Sequence, residues 1–456
     1  MKILPAALLL LLGATSPAGS KPNIVVILAD DLGIGDLGCY LAASKIPTPA
    51  MDRLAAAGMR FTDMHTPSSV CTPTRYALLT GRYAWRSSLK KGVLWGFSPA
   101  LIEPGRPTIP SLLKARGYRT AGFGKWHLGL GAAAKTDYAA PLDPGPLSAG
   151  FDEFEGIPAS LDMEPYVWLK GKGVEALPTE TVPASKHQRE GGDGFWRGGP
   201  AAPGFKHADI LPRVEKAALD FLGRQDASTP FFLYVPLTAP HTPWLPTGEH
   251  AGSSKVGAYG DFVRQTDAVV GRLLAALDRF PDTLVVLTSD NGSHWPEADI
   301  RKWDHRANGP WRGQKSDIHE AGHRVPFLVR WPGTVAPGST SDVTACLTDL
   351  LPTLTGANAE DGWSLLDVLG GKGGSARPYT IHHSGDGMFA IREGSWKLIE
   401  GQGSGGFTKI KPAAGDPPGQ LYDLAADPGE TRNLYAEKPE LIARLAGLLR
   451  ECRQGR

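Results

Sequence analysis

Four short apolar runs, most of them rich in Val, Ile and Phe and each stopping at residues with functional groups, limit this chain to very few folds. Ile24 to Ala29 ends in Asp30-Asp31, and Thr120 to Gly124 runs into Lys125-Trp126-His127. Phe231 to Val235 leads to Pro240-His241, and Leu284 to Ser289 ends in Asp290-Asn291. Apolar runs of this length bounded by turns fit strands buried on both faces, as in a parallel sheet covered by helices. Segments of helical period lie between them. Ala50 to Ala57 stops at Gly58, Ser111 to Arg116 stops at Gly117, and Phe262 to Leu277 sets Phe262, Thr266, Val269, Val270, Leu273, Leu274 and Leu277 along one face. In such α/β sheets ligands bind outside the carboxyl ends of the strands, so the four polar clusters are expected to share one crevice.

The remainder of the chain reads differently. A Pro- and Gly-rich excursion at 135–205 has few periodic segments and is expected to border the substrate mouth. After Leu354, Tyr379 to His383, Met388 to Arg392, Trp396 to Glu400 and Gln420 to Asp423 read as short strands, and Leu441 to Cys452 as a closing amphipathic helix. Residues 1–20 carry Lys2, an apolar run from Ile3 to Leu12 and then small residues through Ser20, the layout of a cleavable secretory signal. The expected organisation is a signal peptide at 1–20, a catalytic α/β domain at 21–355 and a smaller antiparallel module capped by a helix at 356–456.

The bulk properties exclude several classes of function. The leader's apolar run is about half the roughly 20 residues a membrane-spanning helix needs, and no later stretch comes close without charges, so no membrane span is expected. Lys and Arg total 48 against 47 Asp and Glu, and loss of Lys2 with the leader brings the formal charge from +1 to zero. No global field draws nucleic acid or an anionic membrane; attraction for an anionic substrate must be local. The four cysteines, Cys39, Cys71, Cys346 and Cys452, are too few and too dispersed for a disulfide framework or a zinc site.

Asp30, Asp31, Asp290 and Asn291 offer oxygen donors, which suit a hard cation such as calcium or magnesium better than zinc. Either pair alone would be an ordinary turn; together, at the ends of two core-like strands, they read as a metal site. Gly33-Ile34-Gly35-Asp36-Leu37-Gly38 matches a dinucleotide-binding fingerprint, and Asp52 lies near the distance of a ribose-binding acid. A pyrophosphate there would meet Asp30, Asp31 and Asp36, and no helix is expected to open within these glycines. They are read as a turn behind the metal carboxylates.

Cys71 stands in Cys71-Thr72-Pro73-Thr74-Arg75, followed by YALLTGRY. It could be a buried small hydrophobe or a nucleophile activated by histidine. Pro73 suits the first turn of a helix, whose start favours a polar or anionic group at position 71, with Arg75 one turn later. The stretch closely resembles the signature of the type I sulfatases, in which this cysteine is oxidised after translation to Cα-formylglycine. Further landmarks of that family follow in order: DDLGIGDLG, GKWHLG, PHTP, SDNG, and Lys315 in RGQKSDIHEAGHRVP. The resemblance covers roughly residues 22–355.

That resemblance implies an alkaline-phosphatase-like mixed, mostly parallel sheet sandwiched by helices, and hydrolysis of sulfate esters through a formylglycine hydrate and a covalent sulfate-enzyme intermediate. It implies one calcium ion held by Asp30, Asp31, Asp290, Asn291 and the converted Cys71. Arg75 and Lys125 would position the hydrate, His127 would take a proton from its remaining hydroxyl, and His241 and Lys315 would bind sulfate and help protonate the departing alcohol. It also implies a formylglycine-generating maturase as a partner, while the leader implies export to the periplasm or the medium. The aromatic and cationic stretch of His294, Trp295, Trp303, His305, Arg306, Trp311 and Arg312 suits a sugar plane with neighbouring anions, or else a packed surface loop, and Trp196-Arg197 reads the same two ways. A sulfated carbohydrate is the expected substrate. The rivals are a phosphatase or phosphodiesterase on the same fold, expected to use Ser or Thr with two metals, and an inactive carbohydrate-binding relative.

Overall fold

The computed structural model describes residues 21–186, 194–374 and 377–455; the expected leader lies outside the described residues. Seven strands of the main sheet matter for the site: β1 (Asn23–Asp30), β2 (Met59–Phe61), β3 (Arg119–Lys125), β4 (Glu153–Ile157), β5 (Phe231–Pro240), β6 (Thr283–Ser289) and β7 (Phe327–Arg330). Their spatial order is β2-β7-β6-β1-β5-β3-β4, and three short strands extend the edges to make ten. From β6 to β4 every pairing is parallel, and β7 runs antiparallel to β6 and β2. The carboxyl ends of β1, β3, β5 and β6 therefore open on one edge of the sheet.

Burial on both faces explains the continuous apolar runs. Val25, Ile27 and Ala29 of β1 pack into a core shared with the helices α1 (Pro49–Ala56), α3 (Ile210–Gly223) and α4 (Gly257–Leu277), while Ile24, Val26 and Leu28 face a second core containing Tyr76, Leu78 and Leu79 of α2 (Cys71–Thr80). Each such fully buried large side chain contributes roughly 1.5–3 kcal/mol, so the strand ends rest on a stiff base. The face expected on Phe262 to Leu277 is the one α4 buries, although the helix starts earlier, at Gly257, and Leu274 is only half-buried.

Two expectations change in detail. The run read as ending at Val235 continues as strand to Pro240. Pro236 has no N–H to give, and the β3 ladder duly ends at Tyr234 opposite Gly122, but β1 keeps pairing through Leu28–Pro236 and, past an irregularity, Asp30–Pro240. A single 3-10 turn, Ile34–Asp36, does follow Gly33. The glycines there serve close packing: a Cβ on Gly33 or Gly35 would come within 2.1 Å of the backbone oxygen of Ala307 or Arg306.

The C-terminal strands β8 (Thr380–His383), β9 (Phe389–Glu393), β10 (Trp396–Ile399) and β11 (Gln420–Asp423) form an antiparallel sheet in sequence order, covered by α5 (Pro439–Gln454). Its core unites Ile381, Ile391, Leu398 and Leu421 with Leu445 and Leu449 of the helix, and also with Tyr83 and Trp85 of the main body. The seam is charged and buried: Asp63 pairs with Arg324 and Arg392, Glu320 with Arg324 and Lys397, and Lys397 also with Glu430. Among the described residues no helix is long and apolar enough to cross a membrane.

Candidate active site

Four strand ends and one helix start build the site. Cys71 opens α2, whose ten residues are all buried, and Val70 before it provides no side-chain cap. The first N–H groups of that helix and the positive end of its dipole therefore gather at position 71. The Cys71 sulfur lies 3.8 Å from Asp30 Oδ1. Burial pushes its thiol up to about 12 in spite of Lys125 and Lys315, so the encoded side chain is a neutral thiol. In the structure Cys39, Cys71, Cys346 and Cys452 are all free.

Each buried carboxylate has its own cation. Lys125 Nζ donates to both oxygens of Asp30 at 2.8 Å, and Lys315 Nζ lies 2.6 Å from Asp31 Oδ1. Arg75 grips Asp290 Oδ2 through Nε at 2.9 Å and Nη2 at 2.7 Å, and its Nη1 donates to the Lys125 carbonyl at 3.0 Å. Burial alone would raise Asp30 and Asp31, yet both are lowered, Asp30 chiefly by Lys125 and Asp31 chiefly by Lys315. Asn291 Nδ2 donates to Asp31 Oδ1 at 2.6 Å, while Asn291 Oδ1 is buried with no hydrogen-bond partner.

An orphaned amide oxygen beside three carboxylates fits a hard cation that takes oxygen ligands. Ligand atoms of Asp30, Asp31, Cys71 and His241 lie within 4.8 Å of one another, which adds His241 to the neighbourhood expected from sequence. His241 Nε2 is 3.7 Å from Asp31 Oδ2, and its Nδ1 contacts the Thr242 carbonyl at 2.6 Å. His127 Nε2 donates to the Leu94 carbonyl at 2.8 Å, which leaves Nδ1 as a bare lone pair, buried and unpartnered. Burial, then Lys125 and Arg75, hold that imidazole well below its usual range, hence neutral.

Backbone strain marks the same place. Asp31 and His127 have φ of 64° and 56°, and Ser316, next to Lys315, has 76°. Non-glycine residues occupy this left-handed region rarely and at a cost of about 1–3 kcal/mol each, so the surrounding core must hold them there. Gly124, at φ 137°, is required in β3: a Cβ would come within 1.9 Å of the Pro236 oxygen.

These groups face a cavity of about 430 Å³ whose lining includes Asp31, Cys71, His127, His241 and Lys315. Of the aromatic and cationic stretch from His294 to Arg312, His294 lines it, with its ring 4.8 Å from that of Phe407. Trp295 does not: it is 2% exposed, its indole N–H donates to the His305 carbonyl, and it packs on Trp244 and Tyr259. His305 is bound to Asp36 inside the fold, Arg306 is exposed away from the cavity, and Arg312 is tied to the Tyr422 hydroxyl and the Glu430 carbonyl. Trp303 packs over Gly257, and Trp311 lies under Arg324. In the pair Trp196-Arg197 the tryptophan stacks on His207, and the arginine lines the cavity. The excursion at 135–205 does border the cavity, through Ser160, Asp162, Phe195 and Arg197, but apart from the Trp196-Arg197 pair the sequence singled out none of its residues, and it missed Trp95 and Phe407; none of these stands in a periodic segment.

The family model described as Sulfatase matches residues 22–357. The chain is 35% identical to an N-acetylgalactosamine-6-O-sulfatase of Bacteroides thetaiotaomicron over 94% of its own length and 92% of the relative's. It is 37% identical to human arylsulfatase A, covering 97% and 90% of the two chains. A solved Bacteroides thetaiotaomicron structure, described in connection with the metabolism of multiple glycosaminoglycans, superposes with a TM-score of 0.83 at 32% identity, covering 95% of this chain and 99% of that one.

Proposed function

This chain belongs to the sulfatase family and hydrolyses sulfate esters, and we propose that its substrate is a sulfated carbohydrate and its nucleophile a Cα-formylglycine made from Cys71. The observation that carries this reading is Cys71 itself, a buried neutral thiol at an uncapped helix start with Asp30, Lys125 and Lys315 about it. Such a thiol is a poor nucleophile, whereas its surroundings suit an oxygen nucleophile that must lose a proton. Formylglycine, when present, supplies through its hydrate two hydroxyls on one carbon, one to attack sulfur and one to expel sulfate. Calcium, assigned to Asp30, Asp31, Asp290, Asn291 and the converted position 71, supplies positive charge where oxygen anions gather.

The chain's own residues do the rest. Arg75 and Lys125 hold Asp290 and Asp30 in fixed directions and offset their charge. His127, neutral and with Nδ1 open, accepts the proton from the second hydroxyl at position 71. Lys315 and His241 bind sulfate from the cavity side, and His241 Nε2 delivers a proton to the departing sugar oxygen. Because Arg75, Lys125 and Lys315 already pair the three carboxylates, the donors serve one divalent ion, which speaks against a two-metal phosphatase. Cys71, Arg75, Lys125 and His127 all stand in place, which speaks against an inactive relative.

The carbohydrate preference is supported by the bacterial relative, which acts on a 6-O-sulfated N-acetylgalactosamine. Residues 1–20 support export to the periplasm or medium. Residues 21–355 serve as the catalytic domain and 356–456 as a subdomain. Protein made with a formylglycine-generating maturase should show the Cys71 peptide about 18 Da lighter by mass spectrometry and should release sulfate from defined sulfated saccharides. An intact thiol in fully active protein overturns the assigned nucleophile.

A further inference from the structure

The cavity wall facing the strand ends carries a charged pair that the chemistry above does not use. Arg197 Nη1 donates to Asp162 Oδ2 at 2.5 Å and to the Asp162 carbonyl at 3.3 Å, and the Arg197 backbone N–H donates to the same carbonyl at 3.1 Å. The guanidinium also lies 4.9 Å from the centre of the Trp95 ring and 5.0 Å from that of Phe195. Arg197 is thus locked in one orientation at the cavity wall.

Two observations say that this wall awaits a partner. The Asp162 side chain is only 6% exposed, yet its Oδ1 has no hydrogen bond, with His241 Nδ1 no nearer than 4.0 Å, and Ser160 Oγ, two residues earlier on the same cavity-lining loop, is likewise buried and without a hydrogen bond. An unpaired buried acceptor costs about 1–3 kcal/mol, and one that persists in a cavity wall is a place where a ligand completes the set. Among the described residues, moreover, the Arg197 side chain makes hydrogen bonds through Nη1 alone, so Nε and Nη2 remain available as donors.

The chemistry of the pair selects what can bind. A second anion would meet a guanidinium already neutralised by Asp162 and would set its lone pairs against the carboxylate oxygen that has no hydrogen bond. Hydroxyls satisfy both partners, donating to Asp162 Oδ1 and accepting from Arg197. Trp95, 48% exposed, offers an apolar face beside them for the C–H face of a sugar ring. We propose that Asp162 and Arg197, with Trp95 beside them, form a subsite that reads hydroxyls on the uncharged sugar ring bearing the sulfate ester, and that this subsite selects neutral hexose monosulfates over rings with a second anionic group. The inference rests on the sulfatase reading.

Its test compares kcat/KM for a hexose monosulfate, the same hexose with a second sulfate, and an aryl sulfate without hydroxyls, using matured wild type, Asp162→Ala, Asp162→Asn and Arg197→Lys. Asp162→Ala should lower the ratio of hexose to aryl turnover about 10- to 100-fold, through the loss of charge-assisted hydrogen bonds. Arg197→Lys should lower it about tenfold, since an ammonium cannot reproduce the fork. The near-isosteric Asp162→Asn, which keeps the loop packed, should fall between wild type and Asp162→Ala. An unchanged ratio, an equal proportional fall on both substrates, or a wild type that prefers the disulfated hexose overturns the subsite. A wild type that releases sulfate from none of the three overturns the sulfatase reading itself, an outcome separate from the others.

Discussion

The two walls of the cavity are built on different principles. One consists of the carboxyl ends of four parallel strands and the start of α2, where Asp30, Asp31 and Asp290 are each matched to a cation and Asp31 and His127 are held in strained backbone positions by the core beneath. The other is assembled from loops far apart in the chain: Trp95, Ser160 and Asp162, Phe195 and Arg197, and Phe407 from the C-terminal module. There aromatic rings stand half-exposed and polar atoms lack partners. The groups proposed to do the chemistry rest on or against the sheet and its core, and the groups proposed to choose among substrates sit on segments that can change without disturbing it.

Substitutions on the two walls should therefore fail in different ways. On the first wall, Cys71→Ala should reduce sulfate release by about 10⁴-fold or more on every substrate with the thermal unfolding curve essentially retained, because the proposed nucleophile is lost and not the fold. His127→Ala should lower kcat by about 10²- to 10⁴-fold. Because burial holds that imidazole well below pH 6.5, wild-type kcat should not lose activity through His127 until the pH is well below that value. An acid limb centred above pH 6.5 that disappears in the variant would break its assignment as a neutral base.

Trp295 tests where the second wall ends. Trp295→Ala should cost about 3–5 kcal/mol of stability, measured by denaturant unfolding, with the preference between sugar and aryl sulfates unchanged; an altered preference would return this residue to the substrate. Acid should act at the seam that brings Phe407 to the cavity. Burial lowers His65, His323 and His382 from the usual imidazole range, so the unfolded chain takes up protons more readily than the native one once the pH drops past about 6.5. Stability is therefore full above that pH and is lost as the pH falls, and the melting temperature should decline from pH 7 to pH 5. The smallest effect belongs to Phe407→Ala, a roughly 3- to 10-fold rise in KM for saccharides with kcat retained, since one half-exposed ring contact is removed.

The difference between the walls also explains what could be read from the sequence. Asp30, Lys125, His241 and Asp290 were legible because each ends or directly follows a strand whose burial on both faces imposes an unbroken apolar run, and a parallel sheet brings such ends together whatever lies between them. Cys71 was legible through the fixed offsets of Pro73 and Arg75. Asp162 and Phe407 were not, because no period leads to them and their neighbours are settled only after the chain has closed: Gly406 nests against the Ser316 backbone, and Ile318 donates to the Ser404 carbonyl. Trp295 and His305 misled for a related reason. Aromatic and cationic residues close together in sequence resemble a binding face, yet here they fill the space behind Tyr259 and Asp36.

The burial of α2 on all sides sets an order of events in time. Cys71 is 2% exposed, and every residue from it to Thr80 is enclosed by the finished fold. A second protein cannot grasp Thr72 to Arg75 once the sheet has closed, so the maturase proposed to act on Cys71 would have to meet the chain while this stretch is still extended. Folding and the proposed conversion would then compete for the same segment, and a chain that folds first would keep its thiol. The fraction of converted protein in a preparation would then be a record of that race, set by the rate of strand assembly against the rate of conversion and independent of how well the mature site works.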